Sequence, residues 1–193
     1  LRDLLIGSEG TLAVITKAVL RLFPKPRAHA TAMVALEDLD AALMLLNRLQ
    51  EDSGFGVEAF EFMPKNYFRH LALIDPEAPI PFAGEYEVNV LVELAATRPG
   101  DATLGEDGVV PLQALLTDSL AAALEQGGVH DANIAQSEQQ RAAMWKMREM
   151  AFEVSTRLGP PVTTDIAVPL DRVGEFLRRA DQRMKALAPK ADI

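Results

Sequence analysis

The chain has 193 residues and a mass of 21.0 kDa, with 19 Lys and Arg against 28 Asp and Glu, a formal net charge of −9 and a pI near 4.8. A hydrophobic fraction of 49%, a charged fraction of 24% and a mean hydropathy of +0.06 describe a globular chain and exclude disorder as its main state. No apolar run approaches the ~18 residues of a membrane-spanning helix, and an acidic chain with scattered basic residues excludes nucleic acid as the main partner. Cysteine is absent. That excludes disulfide frameworks, thiolate zinc sites and cysteine nucleophiles, and makes a reduced cytoplasm the simplest home.

The opening LRDLLIGSEG carries neither an initiator methionine nor a signal peptide, and the chain stops just after a helical pattern. It reads as a piece of a longer protein, truncated at its C-terminal end. A glycine-bracketed turn, Gly7-Ser8-Glu9-Gly10, precedes two Val-, Ile- and Leu-rich runs, Thr11–Thr16 and Ala18–Phe23, that read as short strands. Pro24-Lys25-Pro26 breaks the pattern and marks a boundary between units 1–26 and 27–193.

Beyond that boundary strands and helices alternate. Ala30–Leu36 reads as a strand. Asp38 is placed to cap a helix running to about Glu51, with Leu39, Leu43, Leu46 and Leu49 on one face and Gly54 closing it. Val57–Met63 is a strand and Lys65–Ile74 a short helix with Tyr67, Phe68 and Leu71 on its apolar side. Glu85–Ala95 alternates like a half-buried strand, with Tyr86, Val88, Val90 and Val92 on the covered face. Thr97–Gly108 is a polar loop. Pro111–Gln126 reads as a helix ended by Gly127-Gly128, and Val129–Ala135 as a strand. Ser137 with Gln140 three residues on forms a capping box for a long helix to about Leu158. Pro161–Val168 is a further strand and Asp171–Leu187 a last amphipathic helix. Two strand-helix-strand units of this kind predict an α+β fold of ferredoxin-like type, a mainly antiparallel sheet with helices packed on one face.

Two places could carry chemistry. The Gly7-Ser8-Glu9-Gly10-Thr11 turn lacks side-chain bulk at its glycines, so backbone N–H groups there could approach a phosphate or a flat ring. Ser8 and Thr11 could add hydroxyl donors and Glu9 could accept from a ribose hydroxyl, whereas the plainer reading is a tight turn entering a strand. On the helix after Ser137, Met144, Met147, Ala151, Val154 and Leu158 form a core stripe. Trp145, Arg148 and Phe152 form an adjacent one. A guanidinium between two aromatics suits bidentate capture of a carboxylate; an arginine stacked on Trp145 and salt-bridged to a nearby acid is the alternative. Glu58, Glu61 and Glu93 read as strand-face acids exposed to water. His29, His70 and His130 are isolated in sequence, and no metal site is expected in this chain.

The run from Gly7 to Thr16, GSEGTLAVIT, resembles the end of the FAD-binding domain in the FAD-linked oxidase family of the vanillyl-alcohol-oxidase superfamily, with Ala13 where that family's pattern has glycine. AFEFMP at 59–64, VLVEL at 90–94, MWKMRE at 144–149 and DIAVPL at 165–170 resemble its cap domain, in order along the chain. The family includes D-lactate dehydrogenases, the glycolate oxidase flavin subunit and D-2-hydroxyglutarate dehydrogenases. The resemblance implies a flavin-domain tail at 1–26 and a substrate-binding cap at 27–193. It implies FAD in the full-length parent, held here by Gly7, Ser8, Glu9, Gly10, Thr11 and Ile15. It also implies an FAD-dependent oxidation of a small D-2-hydroxy acid by hydride transfer to flavin, with electrons passed to an unidentified acceptor.

In the same way it places the substrate carboxylate at Arg148 and a second binding element at Thr163 and Asp165. Thr163 stands where many members have lysine, which tilts the substrate toward monocarboxylates such as D-lactate and glycolate over D-2-hydroxyglutarate. Asp165 also fits a purely local cap or ion pair. The general base and the metal ligands of some members belong to segments beyond this chain, so no catalytic residue and no activity are expected of the piece alone. A flavin-dependent transferase of the same superfamily and a non-catalytic ligand-sensing ferredoxin-like domain are the alternatives. A homodimer stays open.

Overall fold

The computed structural model describes residues 1–106, 108–157, 159 and 162–189. Its elements in chain order are α1 (Arg2–Leu5), β1 (Ala28–Leu36), α2 (Leu39–Asp52), β2 (Val57–Pro64), α3 (Lys65–Ile74), β3 (Val88–Ala96), α4 (Pro99–Ala102), α5 (Pro111–Gln126), β4 (Val129–Ile134), α6 (Glu138–Glu149), α7 (Ala151–Arg157) and α8 (Val173–Leu187), with one 3₁₀ turn at Leu170–Arg172. The four strands form one antiparallel sheet in the order β2-β3-β1-β4. This is the split β-α-β arrangement, with β3 inserted between β1 and β2, so the expected ferredoxin-like α+β fold is present.

Local sequence places the helix ends. The Asp38 carboxylate accepts from the Ala41 N–H at 2.8 Å and caps α2. Pro111 starts α5 at a position where its missing N–H costs nothing. Ser137 Oγ accepts from the Gln140 N–H at 3.2 Å, while Gln140 Oε1 accepts at 2.6 Å from the N–H of Gln136, one residue before the capping serine. Gly128 follows α5 at φ +89°, and a Cβ there would lie 3.3 Å from that of Ala41. Both its backbone angle and the close approach of α2 therefore require glycine.

Helices cover both faces of the sheet, not one. On the first face Ala32, Val34, Leu36, Val90, Val92 and Leu94 pack against Leu45 and Leu49 of α2 and Leu116 and Leu120 of α5. On the second, Met33, Ala35 and Leu91 pack with Met63, with Tyr67, Phe68 and Leu71 of α3, and with Met147 of α6 and Val154 of α7. β3 is consequently buried on both sides across almost its whole length, where its sequence alternation predicted a half-buried strand. The polar letters that suggested a wet face, Asn89 and Glu93, are buried and bonded. β3 also starts later than expected, at Val88 instead of Glu85.

Three further expectations fail. Residues 11–26 form no strand, and Leu12, Val14, Ile15, Val19, Leu20, Leu22 and Phe23 are exposed; a strand needs a neighbour for its N–H and C=O groups, and none of the described sheet reaches them. The long helix after Ser137 breaks at Met150, because α6 docks on β1 and β3 whereas α7 docks on α3. Its expected end, Leu158, lies outside the described residues. Residues 162–169 are irregular instead of a strand, and the expected start, Pro161, also lies outside. Inside the predicted 97–108 loop the chain makes the single turn of α4.

Two-sided burial has a measurable consequence. Leu91→Ala, on the face once expected to be wet, should destabilise the chain by about 2–5 kcal/mol, as much as Leu94→Ala on the other face. Urea unfolding of both variants checks this; a loss at Leu91 well under that of Leu94 would contradict it.

Candidate functional site

At one end of the second sheet face the apolar packing gives way to a polar cluster built around Glu93. This residue sits in the middle of β3 and is 3% exposed. Its Oε2 accepts from the Thr31 hydroxyl of β1 at 2.6 Å, from Arg141 Nε at 2.7 Å and from Trp145 Nε1 at 2.8 Å. Its Oε1 accepts from Arg141 Nη2 at 2.8 Å and lies 3.3 Å from His29 Nδ1. Burial alone pushes the Glu93 carboxyl up. Hydrogen bonds from Arg141, Thr31 and Trp145 and the guanidinium charge outweigh it and hold the carboxyl below its ordinary value. Arg141 is raised in turn, chiefly by its bonds to Glu93.

His29, Glu58 and Glu93 bring potential ligand atoms within 4.8 Å of one another, a grouping that their sequence spacing hid. The chemistry of the donor set argues against a cation there. Both Glu93 oxygens already face the Arg141 guanidinium at 2.7 and 2.8 Å, whose charge opposes a metal ion at the same carboxylate.

One helical turn beyond Trp145, Arg148 donates from Nε and Nη2 to Glu61 Oε2 of β2, both at 2.8 Å. Its side chain is 44% exposed, so the pair is open to solvent and its Nη1 side carries no bond to a described residue. Tyr67 of α3 donates its hydroxyl to the Met147 carbonyl beside it. Burial pushes the Tyr67 phenol up, and the Arg148 charge opposes that in part.

The expected aromatic flanking of Arg148 is not what forms. Trp145 turns its indole N–H to Glu93, and Phe152, beyond the break at Met150, is 76% exposed. Glu93 and Glu61, read from sequence as wet strand acids, both anchor α6, alongside Tyr67. Thr31, Arg141 and Glu93 went unrecognised. One signal was present: Arg141, Trp145 and Arg148 recur at i, i+4 and i+7, one face of a helix.

Thr163 and Asp165 are exposed in the irregular stretch 162–169 and make no hydrogen bond or ion pair among the described residues. The turn at 7–11 is also exposed. Gly7, Glu9 and Gly10 have φ of +79°, +51° and +77°, and a Cβ at either glycine would meet no atom within 4 Å, so the backbone is open to a close neighbour. Thr11 Oγ1 donates to the Ser8 carbonyl at 2.6 Å, which leaves that hydroxyl as an acceptor only. Ile15 is exposed.

Residues 25–191 match the family model of FAD linked oxidases, C-terminal domain. Among curated proteins the chain is 29% identical over 192 residues to the D-2-hydroxyglutarate dehydrogenase of Xanthomonas citri pv. viticola, covering 100% of this chain and 37% of that protein. It is 32% identical over 181 residues to the enzyme of the same name from Stutzerimonas stutzeri, covering 94% and 36%. It is 31% identical over 182 residues to the mitochondrial one of Bos taurus, covering 92% and 30%. The chain thus spans between 30% and 37% of the length of these relatives.

The Glu93 cluster sets a pH dependence. Because the folded carboxyl titrates below the unfolded one, its stabilisation is fully present above the unfolded value of about 4.5 and is lost as pH falls through the lower folded value. Glu93→Gln should cost about 2–3 kcal/mol near neutral pH. In urea unfolding, the gap between wild type and variant should close as pH drops below 4.5. A gap that stays constant to pH values where the carboxyl is protonated would rule out a charge-based contribution.

Proposed function

Since the chain belongs to the FAD linked oxidases as their C-terminal domain, we propose that it is the cap of an FAD-dependent oxidoreductase that oxidises a small D-2-hydroxy acid. Residues 27–193 form the substrate-binding cap, and residues 1–26 form the tail of the flavin-binding domain. The start of the family match at residue 25 supports this division, as does the run of exposed apolar side chains before Pro24, which suits burial against another domain.

FAD is the cofactor that the family implies, and the residues present fit one wall of its site. The open positive-φ backbone at Gly7 and Gly10 admits a close neighbour. FAD held there would supply a hydride acceptor for oxidation of the substrate carbon. Glu9 can accept from a ribose hydroxyl, and the exposed Ile15 offers an apolar contact to the same group.

Arg148 is the observation that carries the substrate assignment. Glu61 holds the guanidinium by Nε and Nη2 and leaves its Nη1 side toward solvent, where a substrate carboxylate can bind by a charge-assisted hydrogen bond. The Glu61 pair is solvent-exposed and costs little to rearrange. Thr163 and Asp165, which make no hydrogen bond or ion pair among the described residues, are assigned to the same binding surface by resemblance. A hydroxyl at Thr163 offers one hydrogen bond and no charge to a second carboxylate, which favours D-lactate or glycolate. The names of the relatives favour D-2-hydroxyglutarate. No residue of this chain is assigned the proton abstraction.

Electrons leave to an acceptor outside the chain. Among the described residues no helix is long and apolar enough to cross a membrane.

Two experiments on the full-length holoenzyme test this reading. Arg148→Lys keeps the charge but loses the fork. It should raise KM for the hydroxy acid and lower kcat, with a loss in kcat/KM of roughly 10- to 150-fold. Assays against D-lactate, glycolate and D-2-hydroxyglutarate, with a melting curve, check it; unchanged kinetics with a lowered Tm would assign Arg148 a structural role only. Gly10→Val forces a branched side chain into φ +77° and fills the open face of the turn. The purified variant should retain less flavin per chain, read from its visible absorbance at temperatures well below its own Tm, which the strained backbone lowers modestly.

A further inference from the structure

We infer that Glu93 is a positioning residue for Arg148, acting through Arg141 and Trp145; this rests on the reading of Arg148 as the holder of the substrate carboxylate. Arg141, Trp145 and Arg148 lie at i, i+4 and i+7 of α6 and so share one face of the helix. Glu93 grips the first two with three hydrogen bonds of 2.7–2.8 Å. It does so from the central strand β3, whose backbone is laddered on both sides, to β1 and to β2. The rotation of α6 about its own axis is thereby fixed against the most rigid part of the sheet.

Glu61 cannot fix that rotation alone. It sits on the edge strand β2, which carries a register irregularity between Val57 and Ala59, and its bond to Arg148 is solvent-exposed. A side chain as long as arginine projects several ångströms from the helix axis. A twist of the helix by roughly ten degrees therefore moves the guanidinium by about 1 Å, a displacement large enough to cost orders of magnitude in a reaction that depends on orientation. Thr31 completes the lock from β1 by donating to the same carboxylate oxygen that takes Trp145 and Arg141 Nε. Each oxygen of Glu93 thus has a fixed direction, and the helix face it holds inherits that direction.

Removing Glu93 outright leaves the Thr31, Trp145 and two of the Arg141 donors unpaired, with only Glu138 still on the guanidinium, and endangers folding, so the test perturbs its donors. In the full-length holoenzyme, Trp145→Phe deletes one hydrogen bond and keeps the aromatic bulk, and Arg141→Lys keeps the charge but loses the fork. Each should lower kcat/KM for the hydroxy acid by roughly threefold to tenfold, the worth of one hydrogen bond. In an Arg148→Lys background each should have almost no further effect, since the group being positioned is gone. Assays run well below the variants' melting temperatures keep loss of fold out of the comparison. Equal losses in both backgrounds, or a lowered Tm with kinetics intact, would make Glu93 a purely structural anchor and overturn the proposal while Arg148 keeps its role. An Arg148→Lys enzyme with unchanged kinetics would instead remove the substrate reading itself, and the positioning role with it.

Discussion

One carboxylate in the middle of β3 fixes how α6 sits on the sheet. Glu93 is taken out of water, and an unpaired charge there would cost several kcal/mol. Its four hydrogen-bond contacts from Thr31, Arg141 and Trp145 offset that cost and join β1, β3 and α6 at one point. Such a contact is directional where the surrounding Met, Leu and Val packing is not. The apolar face permits α6 to slide or turn by small amounts, while the carboxylate selects one arrangement. The same arrangement leaves the Arg148 side chain partly open to solvent beside Glu61.

The fold was largely legible in the sequence because its signals are local. Asp38, the Ser137–Gln140 box, Pro111 and the Gly127-Gly128 pair each act within a turn of the helix they bound. What the sequence concealed depended on distant partners. Glu93 in VLVEL looks like a wet alternate position until the cover of α3, α6 and α7 is known, and the donors that bond its carboxylate from α6 lie some 50 positions later. Leu91, on the same face, was the clue, since an apolar residue between Asn89 and Glu93 argues for a lid over both.

The site divides in the same way. Arg148 could be singled out from its residue type and from resemblance, but its company could not. Helical spacing pairs it with Trp145 and Phe152; the break at Met150 separates Phe152, and Trp145 is claimed by a carboxylate on another element. The apolar runs of residues 11–23 failed as strands for a related reason. Strand propensity states what a segment does when a sheet edge is offered, and within the described chain the edge is not offered to them.

The position of β1 in the sheet also governs how the chain must fold. Val34 pairs with Val90 on one side and with Ala132 on the other, so its two neighbours arrive from far along the chain. Helices such as α2 and α5 can form from local contacts, but the central ladders require closure of long loops before any of their bonds contribute. During synthesis β1 waits about 50 residues for its β3 neighbour and almost a hundred for β4. α2, the next element to emerge, can cover only the face that packs on Leu45 and Leu49, so an early β1–α2 pair keeps Met33 and Ala35 open to misassociation until later elements arrive.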